Sequence, residues 1–308
     1  MADAIAASRE AFVALASGTV AAPPRVHLIE GDRTTLLMGA GGGGAGRIAK
    51  VVSVFPGNRD RGVPVTNGLV LVLDPETGVV LGMCCGATLT AIRTGAIAGL
   101  ATDVLARTDA KLGAVIGAGA QARTQLLAMT AVRELREVRV YAPRADRVAA
   151  FVEEMAPQVA CELVAVASSR EAVADADVVS LATSSSTPVV AGDDLAMGTH
   201  INGVGSFRLD MRELDERAVT RCTRIVVDLR ESALHEAGEL VAAAEVGATS
   251  SEQWLELGDL LSDPSRGRMQ PDDITFFKSV GHAVQDLFAA QRAIANAEAL
   301  GLGQLLEL

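Results

Sequence analysis

From residue 113 onward the chain repeats one alternation. "GAVIG", "EVRVYA", "ELVAVA", "VVSLAT", "THINGVG" and "RIVVDLR" are six short apolar runs, separated by stretches of helical periodicity. A strand covered on both faces reads as a continuous apolar run. Strands that alternate with helices share a sheet in parallel, each helix crossing over to the next strand. This predicts an α/β protein with a doubly wound, Rossmann-type parallel sheet.

The first of these runs ends in glycines. "KLGAVIGAGAQARTQLLAM" spans residues 111–129 and holds Gly117-x-Gly119-x-x-Ala122 between a strand pattern and a helix pattern. Gly117 permits the tight turn, Gly119 lets backbone approach a pyrophosphate, and Ala122 still allows close helix–strand packing. The helix start offers free N–H groups and the positive end of its dipole to phosphates. A lone GxGxxA is a weak signal; at the head of an alternating series it points to a dinucleotide. "GAGGGGAG" at 39–46 precedes a strand instead of a helix, so it reads as a flexible loop.

The end of the second run bears on which nicotinamide binds. An NAD site places Asp or Glu there for the ribose 2′-OH. In "EVRVYAPRADR" that position is Ala142 or Pro143, and Arg144 and Arg147 follow, as a 2′-phosphate requires. The expectation is NADP, with NAD open: both arginines can be solvated helix-start residues, and Asp146 can serve the ribose.

The first hundred residues differ. A leading helix precedes runs at 25–29, 47–55 and 68–73, and "DPETG" turns the last into "VVLGMCC", so this part reads as antiparallel β. Helical period returns at "TAIRTGAIAGLATDVLA", and "DITFFKSVGHAVQDLFAAQRAIANAEALG" reads as one long helix packing back on this first part. The expected boundaries are a substrate and dimerisation domain at 1–110 and 285–308, with a dinucleotide domain at 111–284.

A net charge of −11 argues against nucleic acid as a partner. Cys84, Cys85, Cys161 and Cys222 form no CxxC pair, and no two histidines stand at metal spacing, so no metal site is expected. The N-terminus lacks a basic start before an apolar core, and no apolar run is long enough for a membrane. A cytoplasmic enzyme is the expectation.

An enzyme that moves a hydride also needs a substrate anchor. In "RIAKVVSVF", Lys50 shares a strand face with Ile48, Val52 and Val54. A lysine among apolar neighbours is costly unless paired or used, although an edge lysine can also snorkel. Arg93 lies near a helix start in "LTAIRTGAIAGLA", where its planar fork can hold a carboxylate. Arg25 opens a strand after "APP". His27, His200 and His235 read as structural, with His282 after "KSVG" the weak exception.

Several segments together, "KVVSVFPGN", "LVLDPETGVVLGM", "LTAIRTGAIAGLAT", "GAVIGAGAQARTQ", "VGSFRLDMRELD" and "FKSVGHAVQD", resemble the ornithine cyclodeaminase/μ-crystallin family, in order from about Arg25 to the C-terminus. The resemblance implies a Rossmann domain inserted into an α/β dimerisation and substrate domain built from both chain ends, and a homodimer. It implies substrate-carboxylate contacts at Arg25 and Arg93 and a substrate-contacting Lys50. On the cofactor side it implies Gly117, Gly119, Ala120 and Gln121 in the dinucleotide loop, with Thr183 and Ser184 beside the cofactor. Val204 and Gly205 then lie near the nicotinamide, and Ser279 to Gly281 close that side. Cyclodeaminases carry an Asp two residues beyond the "VG" that is Val204–Gly205 here; this chain has Phe207, which becomes a candidate substrate wall. Cys85 stands where many members have Asp.

The resulting expectation is an NAD(P)H-dependent reductase of a small cyclic imino acid, of the Δ1-pyrroline-2-carboxylate or six-membered type. Arg93 and Arg25 clamp the carboxylate, Lys50 orients the imine, and water is the proton source. Two alternatives stand beside it. One is ornithine cyclodeaminase, which yields proline and ammonia with bound NAD. The other is a crystallin-like protein that binds a nucleotide or small ligand without turnover.

Overall fold

The computed structural model describes residues 1–306. The elements in chain order are α1 (Ala2–Ala16), β1 (Val26–Glu30), β2 (Arg33–Gly41), β3 (Arg47–Val54), β4 (Thr66–Leu73), β5 (Val80–Cys85) and α2 (Gly86–Leu105). There follow β6 (Leu112–Ile116), α3 (Ala120–Val132), β7 (Glu137–Tyr141), α4 (Ala145–Met155), β8 (Glu162–Ala165), α5 (Ser169–Val173), β9 (Val178–Leu181) and β10 (His200–Gly203). The remainder is α6 (Glu216–Arg221), β11 (Arg224–Val227), α7 (Arg230–Glu236), α8 (Gly238–Glu245), β12 (Leu255–Glu256), α9 (Leu257–Ser262), β13 (Thr275–Lys278) and α10 (Ala283–Ala299). The chain forms two compact units, one of Met1–Ile5 and Thr94–Gly281, the other of Ala6–Arg93 with the chain from His282 on.

The first unit is built on an eight-stranded parallel sheet in the order β12-β11-β13-β10-β9-β6-β7-β8. Chain order runs one way through β6, β7 and β8 and the other way from β9, so the direction reverses between β6 and β9. In open α/β sheets that reversal opens a ligand crevice beyond the carboxyl ends of the strands. Alternate residues of β6 feed two apolar layers. Val115 packs in one layer with Val138, Leu126 and Phe151. Ala114 and Ile116 pack in the other with Val179, Ile201, Phe276 and Trp254.

The sequence reading of 273–301 as a single helix is corrected here. Its start is β13, which pairs in parallel with both β10 and β11 and is buried along its length. "TFFK" shows no alternation because both faces are covered, and four residues are too few to separate a buried strand from a helix turn by period.

The second unit holds a five-stranded antiparallel sheet in simple chain order, β1 to β5, with α10 packed against β2, β3, β4 and β5. Along β3, Arg47, Ala49 and Val51 are exposed while Ile48, Lys50 and Val52 are buried. The expected loop at 39–46 is also corrected: Gly39, Ala40 and Gly41 belong to β2 and pair with Ala49, Ile48 and Arg47. Glycines carry no side chain whose polarity could show the period of two, so this end of β2 is silent in the sequence. Among the described residues no helix is long and apolar enough to cross a membrane.

Candidate active site

The nucleotide half lies in the first unit. Gly117 follows β6 with φ +121°, and a Cβ there would lie 2.6 Å from the carbonyl oxygen of Ala182, just past β9. Gly119 is the N-cap of α3, in extended conformation, and no side chain caps the helix. A Cβ on Gly119 would meet no protein atom, so packing within the chain does not require this glycine. Ala122 is fully buried, and the Gln121 side-chain oxygen is buried without a hydrogen-bond partner. Uncapped helix N–H groups and backbone open to close approach fit a pyrophosphate group.

The other sequence-predicted cofactor residues come to the same end of the sheet. Thr183 and Ser184 follow β9, Val204 and Gly205 follow β10, and Ser279 to Gly281 follow β13. With β6 these are four consecutive neighbours in the sheet order. Arg144 follows β7, on the other side of β6, as the exposed N-cap of α4. It is not a free cation: Nη2 donates to Asp146 Oδ2 at 2.5 Å and Nε to Oδ1 at 3.2 Å.

Two buried carboxylates that the sequence reading passed over tie these loops together. Glu213 Oε1 accepts from the amide and hydroxyl of Thr183 at 2.7 and 2.9 Å. Its Oε2 accepts from the amides of Gly205 and Ser206 at 2.8 and 3.1 Å. Burial pushes the Glu213 carboxyl up, Lys278 opposes that shift, and Glu239 adds to it. Asp228, just past β11, plays the matching part for the loop after β13. Its Oδ2 accepts from Ser279 Oγ at 2.7 Å and from the amides of Val280 and Gly281 at 2.9 and 2.8 Å. Behind these loops Lys278 Nζ donates to Ser206 O at 2.6 Å and pairs with Glu239 at 2.9 Å, all three residues being buried. Glu213 was visible in "RELD" and Asp228 in "VVDLR", but a lone acid at a strand or loop end carries no distinguishing pattern.

Phe207 sits half-buried in the loop after β10. The nearby Asp210 is exposed and engaged by Arg208, whose Nε and Nη2 donate to it at 2.9 and 2.5 Å. His200 is fully buried between Thr275 and Asn202, and burial lowers its pKa to about 3, so the ring is neutral. His282 is the N-cap of α10.

The second unit carries a cation cluster. Lys50 on β3 and Arg93 on α2 are both buried, and both meet Asp286, in the first turn of α10. Lys50 Nζ lies 2.7 Å from Asp286 Oδ1, and Arg93 Nε lies 3.3 Å from the same oxygen. Arg93 Nη1 donates to Gln285 Oε1 at 2.8 Å, and Lys50 donates to Thr90 Oγ1 at 2.7 Å. Arg25, half-buried before β1, is close enough for its charge to act on Lys50. The structure thus brings Lys50 and Arg93 together on one carboxylate. Burial lowers the Lys50 pKa, Asp286 partly restores it, and Arg93 and Arg25 lower it further. Burial alone would raise Asp286, but Lys50 and then Arg93 outweigh it and hold the carboxyl below its ordinary range. Two buried cations against one anion leave a positive excess, which suits an anionic ligand such as a carboxylate. Asp286 lay inside the quoted "FKSVGHAVQD" but reads there as an ordinary acid favoured at a helix start.

The chain matches the model of the ornithine cyclodeaminase/mu-crystallin family over residues 1–299. A Δ1-pyrroline-2-carboxylate reductase of Bacillus cereus is 38% identical over 259 residues, covering 84% of this chain and 79% of its own. Among solved structures, Δ1-pyrroline-2-carboxylate reductase of Thermococcus litoralis, in complex with NADH and L-proline, superposes with a TM-score of 0.94 at 36% identity, covering 98% of this chain and 95% of the other. An archaeal alanine dehydrogenase dimer with bound NAD gives 0.93 at 32% identity, covering 100% and 95%.

Proposed function

The chain belongs to the ornithine cyclodeaminase/mu-crystallin family, and from that premise we propose that it is an NAD(P)H-dependent reductase of a small cyclic imino acid of the Δ1-pyrroline-2-carboxylate type. The observation that carries this reading is the convergence of Lys50 and Arg93 on Asp286, a buried anion-seeking cluster in a chain that also holds a dinucleotide turn. The similarity to proteins of that name, one of them bound to NADH and L-proline, the product expected of such a reduction, supports it.

Bound reduced nicotinamide supplies the hydride. The chain supplies the rest. Gly117, Gly119, Ala120, Gln121 and Ala122 cradle the pyrophosphate, and Arg144 meets the adenosine ribose or its phosphate. Thr183, Ser184, Val204, Gly205, Ser279 and Gly281 form the nicotinamide side. Arg93 and Arg25 take the substrate carboxylate, Lys50 addresses the ring nitrogen, and Phe207 offers an apolar surface to the ring. Positioning and exclusion of water account for most of the acceleration in this scheme.

The same reading includes a homodimer. Val26, Leu37, Val51, Leu69 and Cys85 are direct cross-strand partners in one row over all five strands of the antiparallel sheet. All five are exposed. A continuous apolar row of this kind on a sheet face marks an association surface, and the related alanine dehydrogenase is a dimer.

The experiment is a paired assay. Purified protein is given Δ1-pyrroline-2-carboxylate with NADH or NADPH, and separately L-ornithine with NAD. Loss of the reduced-nicotinamide absorbance in the first, with no ammonia in the second, is the expected result. Ammonia release without net redox change identifies a cyclodeaminase, and no turnover with any imino acid identifies a binding protein.

A further inference from the structure

Lys50 is an ammonium with three N–H donors, of which the structure accounts for two. One goes to Asp286 Oδ1 and one to Thr90 Oγ1, each at 2.7 Å. The Thr90 hydroxyl gives its own proton to the Gly86 carbonyl at 2.6 Å, so toward Lys50 it can only accept. Asp286 is buried without exposure and holds both cations through a single oxygen, while its Oδ2 has no partner. Arg93 is steered a second time by Gln285, the residue before Asp286 on α10.

A buried carboxylate bound to two buried cations does more than fill space. A net positive cluster without it would expel a proton from its most acidic member, which is the lysine, because a guanidinium stays charged. We propose that Asp286 is a positioning residue of the reaction: it fixes Lys50 and Arg93 as one unit and keeps Lys50 an ammonium, so that Lys50 itself donates the proton to the imine nitrogen. This rests on the imino-acid reductase reading and replaces water as the proton source. The step balances. The ring carbon gains a hydride from the reduced nicotinamide, which is oxidised. The electron pair of the C=N π bond moves to nitrogen, which takes the Lys50 proton. A secondary amine and a neutral Lys50 remain, and solvent returns the proton to Lys50.

The charges acting on Lys50 define the pH behaviour. Asp286 favours the ammonium, and Arg93 and Arg25 oppose it. The Cys84 thiol, on β5, is held up by burial and stays neutral. If activity requires the ammonium, the rate falls as pH rises through the Lys50 pKa. Removing the Asp286 charge lowers that pKa and moves the alkaline limb to lower pH.

The chain has three lysines, Lys50, Lys111 and Lys278, so 13Cε-lysine labelling gives three resonances, and Lys50→Arg identifies the one of interest. Wild type and Asp286→Asn are titrated by NMR and by the alkaline limb of kcat with Δ1-pyrroline-2-carboxylate. The Lys50 midpoint is expected to fall by about one pH unit or more in Asp286→Asn, with the limb following it. Thr90→Val, which removes only the hydroxyl acceptor, should shift both the same way by less. It carries the test if Asp286→Asn does not fold. An unmoved Lys50 midpoint in the folded variant overturns the proposal, and so does a limb that ignores a moved midpoint or a loss of rate equal at all pH values. If wild type reduces no imino acid while the midpoint moves, the substrate reading fails and the Asp286–Lys50 coupling stands.

Discussion

Glu213 accepts both the amide and the hydroxyl of Thr183 on one carboxylate oxygen, at 2.7 and 2.9 Å. Its other oxygen holds the amides of Gly205 and Ser206. The loops after two neighbouring strands are therefore held by one side chain, and they meet so closely that a Cβ on Gly205 would strike the Thr183 backbone. Glu213→Gln turns one oxygen into a donor that faces donors. The variant should lose about 2–4 kcal/mol of stability and bind NADH roughly tenfold more weakly, about 1.4 kcal/mol. Urea unfolding and fluorescence titration measure the two. Unchanged NADH affinity would show that the staple serves the fold alone.

The Arg144–Asp146 pair gives a test of the proposed preference for NADP. Asp146 occupies both arms of the Arg144 fork, so a 2′-phosphate must compete with it. Arg144→Ala should weaken NADPH about tenfold and leave NADH nearly unchanged, because only NADPH gains the charge-assisted contact. Asp146→Ala should tighten NADPH by freeing the guanidinium. Equal losses for both nucleotides in Arg144→Ala, or a wild-type preference for NADH, would remove the case for NADP.

What the sequence showed and what it hid divide along physical lines. The Rossmann alternation and the glycine turn were legible because period and backbone constraint are local properties. Lys50 was legible because the period of two in β3 places it between Ile48 and Val52 on the buried face. Its partner was not: Asp286 lies 236 residues away, and an acid in the first turn of a helix is ordinary by itself. Glu213 and Asp228 were hidden for the same reason, since their meaning lies in the amides they meet across the sheet. β13 was hidden because full burial erases the alternation that announces a strand.

The exposed row on the antiparallel sheet predicts the oligomeric state. Val51 stands mid-row, between Leu37 and Leu69. Wild type should run as a dimer in light scattering. Val51→Asp puts a charge into the proposed interface, where an unpaired charge is costly, and should yield monomer at micromolar concentration. A wild-type monomer, or a Val51→Asp dimer of unchanged affinity, would place any interface elsewhere.

His200 makes stability depend on pH. Burial, with a smaller part from the Arg268 charge, lowers its pKa from 6.5 to about 3. A folded-state pKa below the unfolded one contributes stability that is fully present above pH 6.5 and is lost as pH falls toward 3. Between pH 6.5 and 5 this loss comes to about 2 kcal/mol. His200→Gln removes the titrating ring. It should be less stable than wild type at pH 7.5, with the gap narrowing as pH drops to 5. Parallel urea midpoints across that range would mean that His200 is protonated in the fold or contributes nothing.

Phe207 bears on the reaction type. Turning over a free amino acid requires its amine to be deprotonated and held near the hydride acceptor, a task for a carboxylate. Phe207 can neither accept a proton nor a hydrogen bond, and its half-buried ring suits a planar ring imine better than a charged amine chain. Asp210 is the next acid along the same loop, and Arg208 holds it with two hydrogen bonds at the surface. The hydrogen bond from Arg208 lowers its carboxyl pKa and outweighs the opposing effect of burial, the opposite of what a base near neutrality needs. Wild type should therefore release little ammonia from L-ornithine and NAD, and Asp210→Asn should leave imine reduction intact. Phe207→Asp should cut reduction of Δ1-pyrroline-2-carboxylate by about tenfold or more, as a charge replaces the proposed apolar wall. Efficient cyclisation of ornithine by wild type, abolished by Asp210→Asn, would reassign the reaction to deamination and make Asp210 its base.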